Sequence, residues 1–335
     1  MKILIVKHGA LGDVVRTSYF AGPLRRKYGR ALNLSWITAP GAVPLICRNP
    51  HIDRVLTSFD DLIGEPFDIV YSLDDEEEIV AGVSRLTCAR IVGVYLDDGQ
   101  VKYSQDAAAW FDMGLRSRFG KARADELKKL NARTHGEIFA EMFAVDAAEA
   151  AFHGDDELQA SYRRWLGDRR PAVGLNPFAG GRWPAKELRG REIEALIRSL
   201  LASDGLLAES GSIVLIGAGP DRDRNLALAA TLADPRVRVA DTEASPLHLA
   251  ALIRGLDYMV SSDSLAMHLA LAQGVPTVAF FAPTSAAEID GFGRLVKVVS
   301  TAADYCSYAK DADNSTITHD RLLRALALLQ QRRST

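Results

Sequence analysis

The sequence predicts an α/β protein built from two doubly wound, Rossmann-like domains. Short apolar runs alternate with longer helical patterns, the arrangement of a mostly parallel sheet covered by helices on both faces. The pattern occurs twice, before and after the polar, proline-terminated stretch Gly167-Asp168-Arg169-Arg170-Pro171, which reads as a linker. A length of 335 residues accommodates about two domains of ordinary size.

In the first series the expected strands are Lys2–Val6, Leu32–Thr38, Arg54–Thr57, Ile69–Leu73 and Arg90–Leu96. Helical stretches begin between them near Asp13, Gly41 and Asp75. From about Gln100 to Ala150 the pattern turns helical and rich in cations, among them Arg116, Arg118, Lys121 and Arg123. That segment is either a solvated helical face or an insertion that meets an anionic acceptor or a membrane surface. The second series predicts strands at Ala172–Leu175, Ser212–Ile216, Val237–Ala240, Tyr258–Ser261, Thr277–Phe281 and Leu295–Val299. No Asp, Glu, Lys or Arg occurs from Ser264 to Ala287, but Gln273-Gly274-Val275-Pro276 breaks the run. A buried helix and a buried strand are expected there rather than a membrane span. In the closing segment Thr318–Arg332, residues Leu322, Leu323, Ala325, Leu326 and Leu329 form one apolar helix stripe, read as core or as a surface docking on the other domain.

Composition narrows the functional classes. Apolar residues at 48% and charged residues at 25% exclude disorder as the main state. A formal charge of -3 gives no general basic field for nucleic acid. Cys47, Cys88 and Cys306 are odd in number and far apart, which fits a reducing compartment and no zinc site. The apolar run Ile3–Val6 is too short for a signal-peptide core, so a cytoplasmic location is expected.

Three strand-to-helix junctions carry the chemistry, and doubly wound domains place such loops around a ligand, here expected in a cleft between the domains. The first is Lys7-His8-Gly9-Ala10-Leu11-Gly12-Asp13, where the glycines permit a tight turn and Asp13 begins a helix. Asp13 is either a first-turn acid stabilised by the helix dipole or a carboxylate that accepts a proton from an attacking hydroxyl. The second, Asn176-Pro177-Phe178-Ala179-Gly180-Gly181-Arg182-Trp183-Pro184-Ala185-Lys186, offers backbone donors followed by two cations, as a diphosphate requires. Trp183 reads as a packing residue. The third runs from Ser261 through Asp263 and Ser264 to His268, either a cap with a core histidine or an anion site. Gly217-Ala218-Gly219 lacks the third glycine of a dinucleotide fingerprint, and no phosphate-binding P-loop occurs. The run Asp74–Glu78 is expected to open a helix, with acids facing its positive end. The spacings Asp221-Arg222-Asp223 and Asp311-Ala312-Asp313 suit a divalent ion but arise often by chance, and no essential metal is expected.

Taken in order, these segments resemble the bacterial heptosyltransferases of lipopolysaccharide core assembly, glycosyltransferase family 9, which have the two-domain GT-B fold. The matching residues are Lys2–Thr17 with Leu11-Gly12-Asp13, Asn49–Val55, Gly180–Pro184, Asp263–His268 and Gly274–Thr284. The resemblance spans nearly the whole chain. It implies an inverting, metal-independent transfer of heptose from ADP-heptose to a sugar hydroxyl of a lipopolysaccharide-type glycan, with Asp13 as the base and no cofactor. Donor binding falls to Asn176, Ala179, Gly180, Gly181, Arg182, Lys186, Gly217, Asp263, Ser264 and His268, and acceptor binding to His8, Gly12, Lys128, Lys129 and Arg133. The implied domains are an acceptor-binding domain at 1–167, a donor-binding domain at 171–317, and a helix at 318–335 docking on the first. A monomer is implied, with peripheral contact to the inner membrane.

Three positions depart from the family pattern. Gly181 stands where many members have Lys, Leu265 where many have Gly, and Cys306 is alone where an iron-binding branch has a cysteine cluster. Another nucleotide sugar and acceptor, a nucleotide-sugar-binding protein without catalysis, and a sugar epimerase of the same architecture remain as alternatives.

Overall fold

The computed structural model describes residues 1–179, 183–208 and 210–334. The chain divides into two compact units, Met1–His153 with Ala287–Asp290, and Gly154–Ala286 with Gly291–Thr335. The division falls ahead of the expected linker at 167–171. Helix Asp156–Leu166 belongs to the second unit because Tyr162 donates its hydroxyl to the Asp241 carbonyl at 2.5 Å and Trp165 lies under the Arg238 guanidinium.

The first unit contains strands β1 (Lys2–Val6), β2 (Asn33–Ile37), β3 (Arg54–Leu56), β4 (Pro66–Ser72), β5 (Thr87–Asp97) and β6 (Gln100–Tyr103), in the spatial order β3-β2-β1-β4-β5-β6. All neighbours are parallel except β5 and β6. Strand β6 corrects the expectation of helix directly after Gln100. Asp98 and Gly99, both left-handed at φ 49° and 74°, close a two-residue hairpin. The Asp-Gly pair was the available signal for it.

The second unit contains β7 (Ala172–Asn176), β8 (Ser212–Leu215), β9 (Val237–Val239), β10 (Tyr258–Ser262), β11 (Thr277–Phe281) and β12 (Leu295–Val299), ordered β12-β11-β10-β7-β8-β9 and parallel throughout. Strands β7, β8, β10 and β11 are buried along their whole length, as strands covered on both faces must be. The break at Gln273–Pro276 ends helix Leu265–Ala272 and leads into β11, and among the described residues no helix is long and apolar enough to cross a membrane.

The helix His319–Ser334 belongs to the second unit. Leu322, Ala325, Leu326 and Leu329 are buried in the second unit's own core, alongside Val278, Phe280 and Val298. The sequence stripe identified the buried face but not the surface it covers.

Candidate active site

In the first unit the site grows from the end of β1. Val6 pairs with Ser72 of β4, so the residues that leave the two strands emerge side by side. Lys7 and Asp74 meet there as a buried ion pair, and Asp74 also accepts the backbone N–H of His8. Burial pulls the Lys7 ammonium down, but the charges of Asp74 and Asp13 outweigh it and hold the group above its ordinary value. Asp74 therefore does not open the following helix, which runs Glu77–Ser84. Its role differs from the expected dipole-facing one because the neighbouring strand supplies a buried cation.

Asp13 lies in the first turn of helix Leu11–Ser18, where unsatisfied backbone N–H groups favour negative charge. Arg16, one turn later, donates from Nε and Nη2 to Asp13 Oδ1 at 2.9 and 2.7 Å. This fork fixes the carboxylate's orientation. Arg16 also lies 5.4 Å from the Trp110 ring. Trp110 meets His135 edge-on at 5.3 Å, and His135 stacks on Phe139 at 3.7 Å. A capping box of Thr134 and Glu137 starts helix His135–Phe143 and sets His135 and Phe139 one turn apart on one face.

These groups line a pocket of about 220 Å³, with Asp13, Arg16, Lys7 and Asp74 polar and Trp110, Phe111 and Phe139 apolar. That is below the volume of pockets for drug-sized ligands and suits part of a ligand, such as one sugar ring. Asp75, also on the wall, is pushed up by burial and by the Glu76 charge. Of the residues expected in this unit, Asp13 alone lines the pocket, while His8 contributes its N–H to Asp74. Gly12 sits beside Asp13 in the helix, outside the lining. Lys128 and Lys129 occupy the last turn of helix Lys121–Leu130, and Arg133 pairs with Glu141 at 2.5 Å. None of these three reaches the pocket.

In the second unit β7 and β10 are parallel neighbours, with Asn176 opposite Ser261. Asn176 Nδ2 donates to Ser261 Oγ at 3.2 Å and to Ser264 Oγ at 3.0 Å, and the two hydroxyls lie 3.0 Å apart. Ser264 is the N-cap of helix Leu265–Ala272, yet its side chain is held by Asn176 and Ser261 rather than by the helix. Beside this helix start, Lys186 Nζ donates to the carbonyl and to Oδ2 of Asp263, both at 3.1 Å. The buried His268 presents Nε2 at 3.7 Å from Asp263 Oδ1, so it faces the junction rather than only the core. Trp183 packs under Lys186, 5.8 Å from its Nζ.

Ala179 N donates to Glu187 Oε1 at 3.4 Å, and Glu187 Oε2 holds Arg224 at 2.9 Å. Arg224 continues to Asp221 at 3.2 Å and lies 3.5 Å over the Phe178 ring. This clamp joins the loop after β7 to helix Pro220–Leu232. Gly217 is required beside it, since a Cβ there would come within 2.9 Å of Asn225 Nδ2 and Asp221 Cβ. Gly180, Gly181 and Arg182 lie outside the described residues. Among the described residues no group of three or more His, Cys, Asp or Glu could hold a metal ion. Asp221 and Asp313 of the two DxD spacings are engaged by Arg224 and by Arg189.

A family model, glycosyltransferase family 9 (heptosyltransferase), matches residues 131–317. The chain belongs to this family. As a family 9 glycosyltransferase it shares its architecture with solved relatives at low identity. One is a family 9 glycosyl transferase from Veillonella parvula, with TM-score 0.72 and 15% identity over 98% of this chain and 97% of that one. Another is the E. coli ADP-heptose lipopolysaccharide heptosyltransferase II, with TM-score 0.68 and 17% identity over all of both chains. A third is E. coli heptosyltransferase WaaC with ADP, with TM-score 0.65 and 16% identity over 99% of this chain and all of that one. No protein of curated function matches at the level of sequence. The two six-stranded sheets of this glycosyltransferase thus follow the GT-B pattern of the heptosyltransferases.

Sequence reasoning missed Lys7, Asp74, Arg16, Trp110 and His135 in the first unit, and Glu187 and Arg224 in the second. Only the Thr134-x-x-Glu137 capping box and the Asp13/Arg16 spacing of three gave a local signal.

Proposed function

We propose that this glycosyltransferase moves a heptose from ADP-heptose to a sugar hydroxyl of a lipopolysaccharide-type glycan, with inversion at the anomeric carbon and without a metal ion. The observation that carries the reading is the first-turn carboxylate of Asp13, oriented by Arg16 on the wall of a pocket of sugar-ring size. The acceptor hydroxyl enters that pocket, Asp13 takes its proton, and the oxygen attacks the anomeric carbon from the face opposite the diphosphate. The bond from anomeric carbon to diphosphate oxygen breaks as the new glycosidic bond forms, and ADP leaves. Lys186 and the N–H groups that open helix Leu265–Ala272 answer the charge gathering on ADP. Support for this donor comes from the solved WaaC structures, which are described with ADP and with ADP-2-deoxy-2-fluoro heptose. On this reading the enzyme works as a monomer in the cytoplasm, where a lipid-linked acceptor brings it to the inner membrane.

Asp13→Asn tests the proposal. Acceptor-dependent ADP release is expected to fall by about 10²–10⁴-fold while ADP binding persists. Full turnover by a folded Asp13→Asn chain would remove the base from the mechanism. A panel of ADP-, GDP- and UDP-sugars, read by product mass and anomeric configuration, decides the donor. Turnover confined to a GDP- or UDP-sugar would replace heptose transfer with another glycosyl transfer.

A further inference from the structure

We propose that the stretch 115–133 of the first unit is a docking surface for an anionic lipid bilayer. Leu115 is 86% exposed, Leu130 74% and Phe119 54%. Single bared apolar residues are ordinary, but here three fall within sixteen consecutive residues. The same stretch through Arg133 carries seven Lys or Arg, of which Arg116, Arg118, Lys121, Arg123 and Arg133 pair with Glu77, Asp112, Asp125, Glu126 and Glu141, so cations stay in local excess in a chain whose formal charge is -3. A local excess of cations therefore lies where three large apolar side chains are bared.

The base of this surface is fixed. Tyr103 at the end of β6 donates its hydroxyl to Asp112 at 2.6 Å and accepts the Arg118 N–H at 2.9 Å, while Arg118 pairs with Asp112 at 2.9 Å. These bonds tie the turns bearing Leu115 and Phe119 to the sheet edge. Helix Lys121–Leu130, in contrast, buries only Ala124. Its packing makes no use of Leu130.

Charge and apolar exposure together select the occupant. A soluble anionic glycan would engage the cations and leave Leu115, Phe119 and Leu130 in water. A second copy of the chain would bring like charge against like charge. An anionic bilayer uses both, taking the apolar side chains at the acyl boundary and the cations at its headgroups, and reversible anchoring needs two such signals together. Leu115, Phe119 and Leu130 do not line the pocket at Asp13, and the inference holds whichever sugar is transferred.

Cosedimentation of the full chain with phosphatidylcholine vesicles, with and without phosphatidylglycerol, tests it. Binding is expected with phosphatidylglycerol only, and is expected to weaken about tenfold or more at about 0.5 M salt. The variant Leu115→Ser/Phe119→Ser/Leu130→Ser and the variant Lys128→Glu/Lys129→Glu are each expected to bind about tenfold more weakly. All five positions lie outside the pocket, so ADP affinity and thermal unfolding should stay as in the parent. Absence of binding to phosphatidylglycerol vesicles overturns the proposal. Unchanged binding by the serine variant also overturns it, and shows that the stretch reads anionic groups without lipid. Self-association that the serine variant abolishes would assign the surface to a second copy instead.

Discussion

Replacing Asp74 by Asn tests the electrostatics that shape the pocket. Lys7 is 8% exposed and Asp74 5%, so the pair is held almost out of water. Among the influences on Lys7, burial is the largest and opposes its charge, Asp74 comes next, and Asp13 acts more weakly in the same sense as Asp74. Removing the Asp74 charge leaves Asp13 unable to offset burial. The Lys7 ammonium then falls below its ordinary value instead of standing above it. Breaking a buried pair by removing one partner costs about 3–5 kcal/mol, and the lower end applies here because the pair adjoins an open pocket.

The pH dependence changes sign with it. In the parent the raised Lys7 value gives stability that is fully present below the ordinary lysine value and is lost as pH rises through the native one. In Asp74→Asn the lowered native value makes stability rise with pH until the ordinary value is reached. Urea unfolding followed by tryptophan fluorescence reads this directly, because Trp36 is fully buried and donates its Nε1–H to the Lys7 carbonyl at 3.4 Å. A loss below about 1 kcal/mol, against the figure expected for a buried pair, would refute the reasoning. So would an Asp74→Asn chain whose stability falls between neutral and alkaline pH as the parent's does.

Two further predictions concern the second unit. Lys186→Ala should lower kcat/KM by about 10²-fold and weaken ADP by about tenfold, measured by steady-state kinetics and calorimetry; unchanged ADP affinity would reduce Lys186 to a clasp on Asp263. Glu192 accepts the His319 N–H at 2.9 Å and lies 2.8 Å from its Nδ1. Burial pushes the Glu192 carboxyl up, but these bonds and the His319 charge outweigh it and hold the group below its ordinary value. Its contribution is therefore present above the ordinary glutamate value and lost as pH falls through the native one. Glu192→Gln should cost about 1 kcal/mol at neutral pH and flatten that acid-side loss in thermal unfolding; a parent-like acid profile would show that the pair does not act.

Most strands were legible because each is a short apolar run bounded by polar residues, a property of adjacent positions. Strand β6 was not, since Gln100–Tyr103 is only partly buried and its signal lay in the Asp98-Gly99 turn. The junctions holding Asp13, Asn176, Asp263, Ser264 and His268 were legible for the same local reason, as glycines, small residues and acids collect where a strand enters a helix. Lys128, Lys129 and Arg133 show the opposite case. Their charge was plain, but charge alone does not say which surface a helix presents.

The sequence by itself determined the α/β class, the two series of parallel strands, the candidate base at the start of the first helix, and the apolar face of the last helix. Each is written in the period and order of neighbouring residues. The tertiary structure decided which distant groups meet: Lys7 with Asp74, Trp110 with Arg16 and His135, Lys186 with Asp263, and the last helix with the second unit's core. These contacts depend on strand order, since β4 lies beside β1 and β10 beside β7 although long stretches of chain separate them. No local pattern encodes that adjacency; it is chosen by burying all the apolar faces at once.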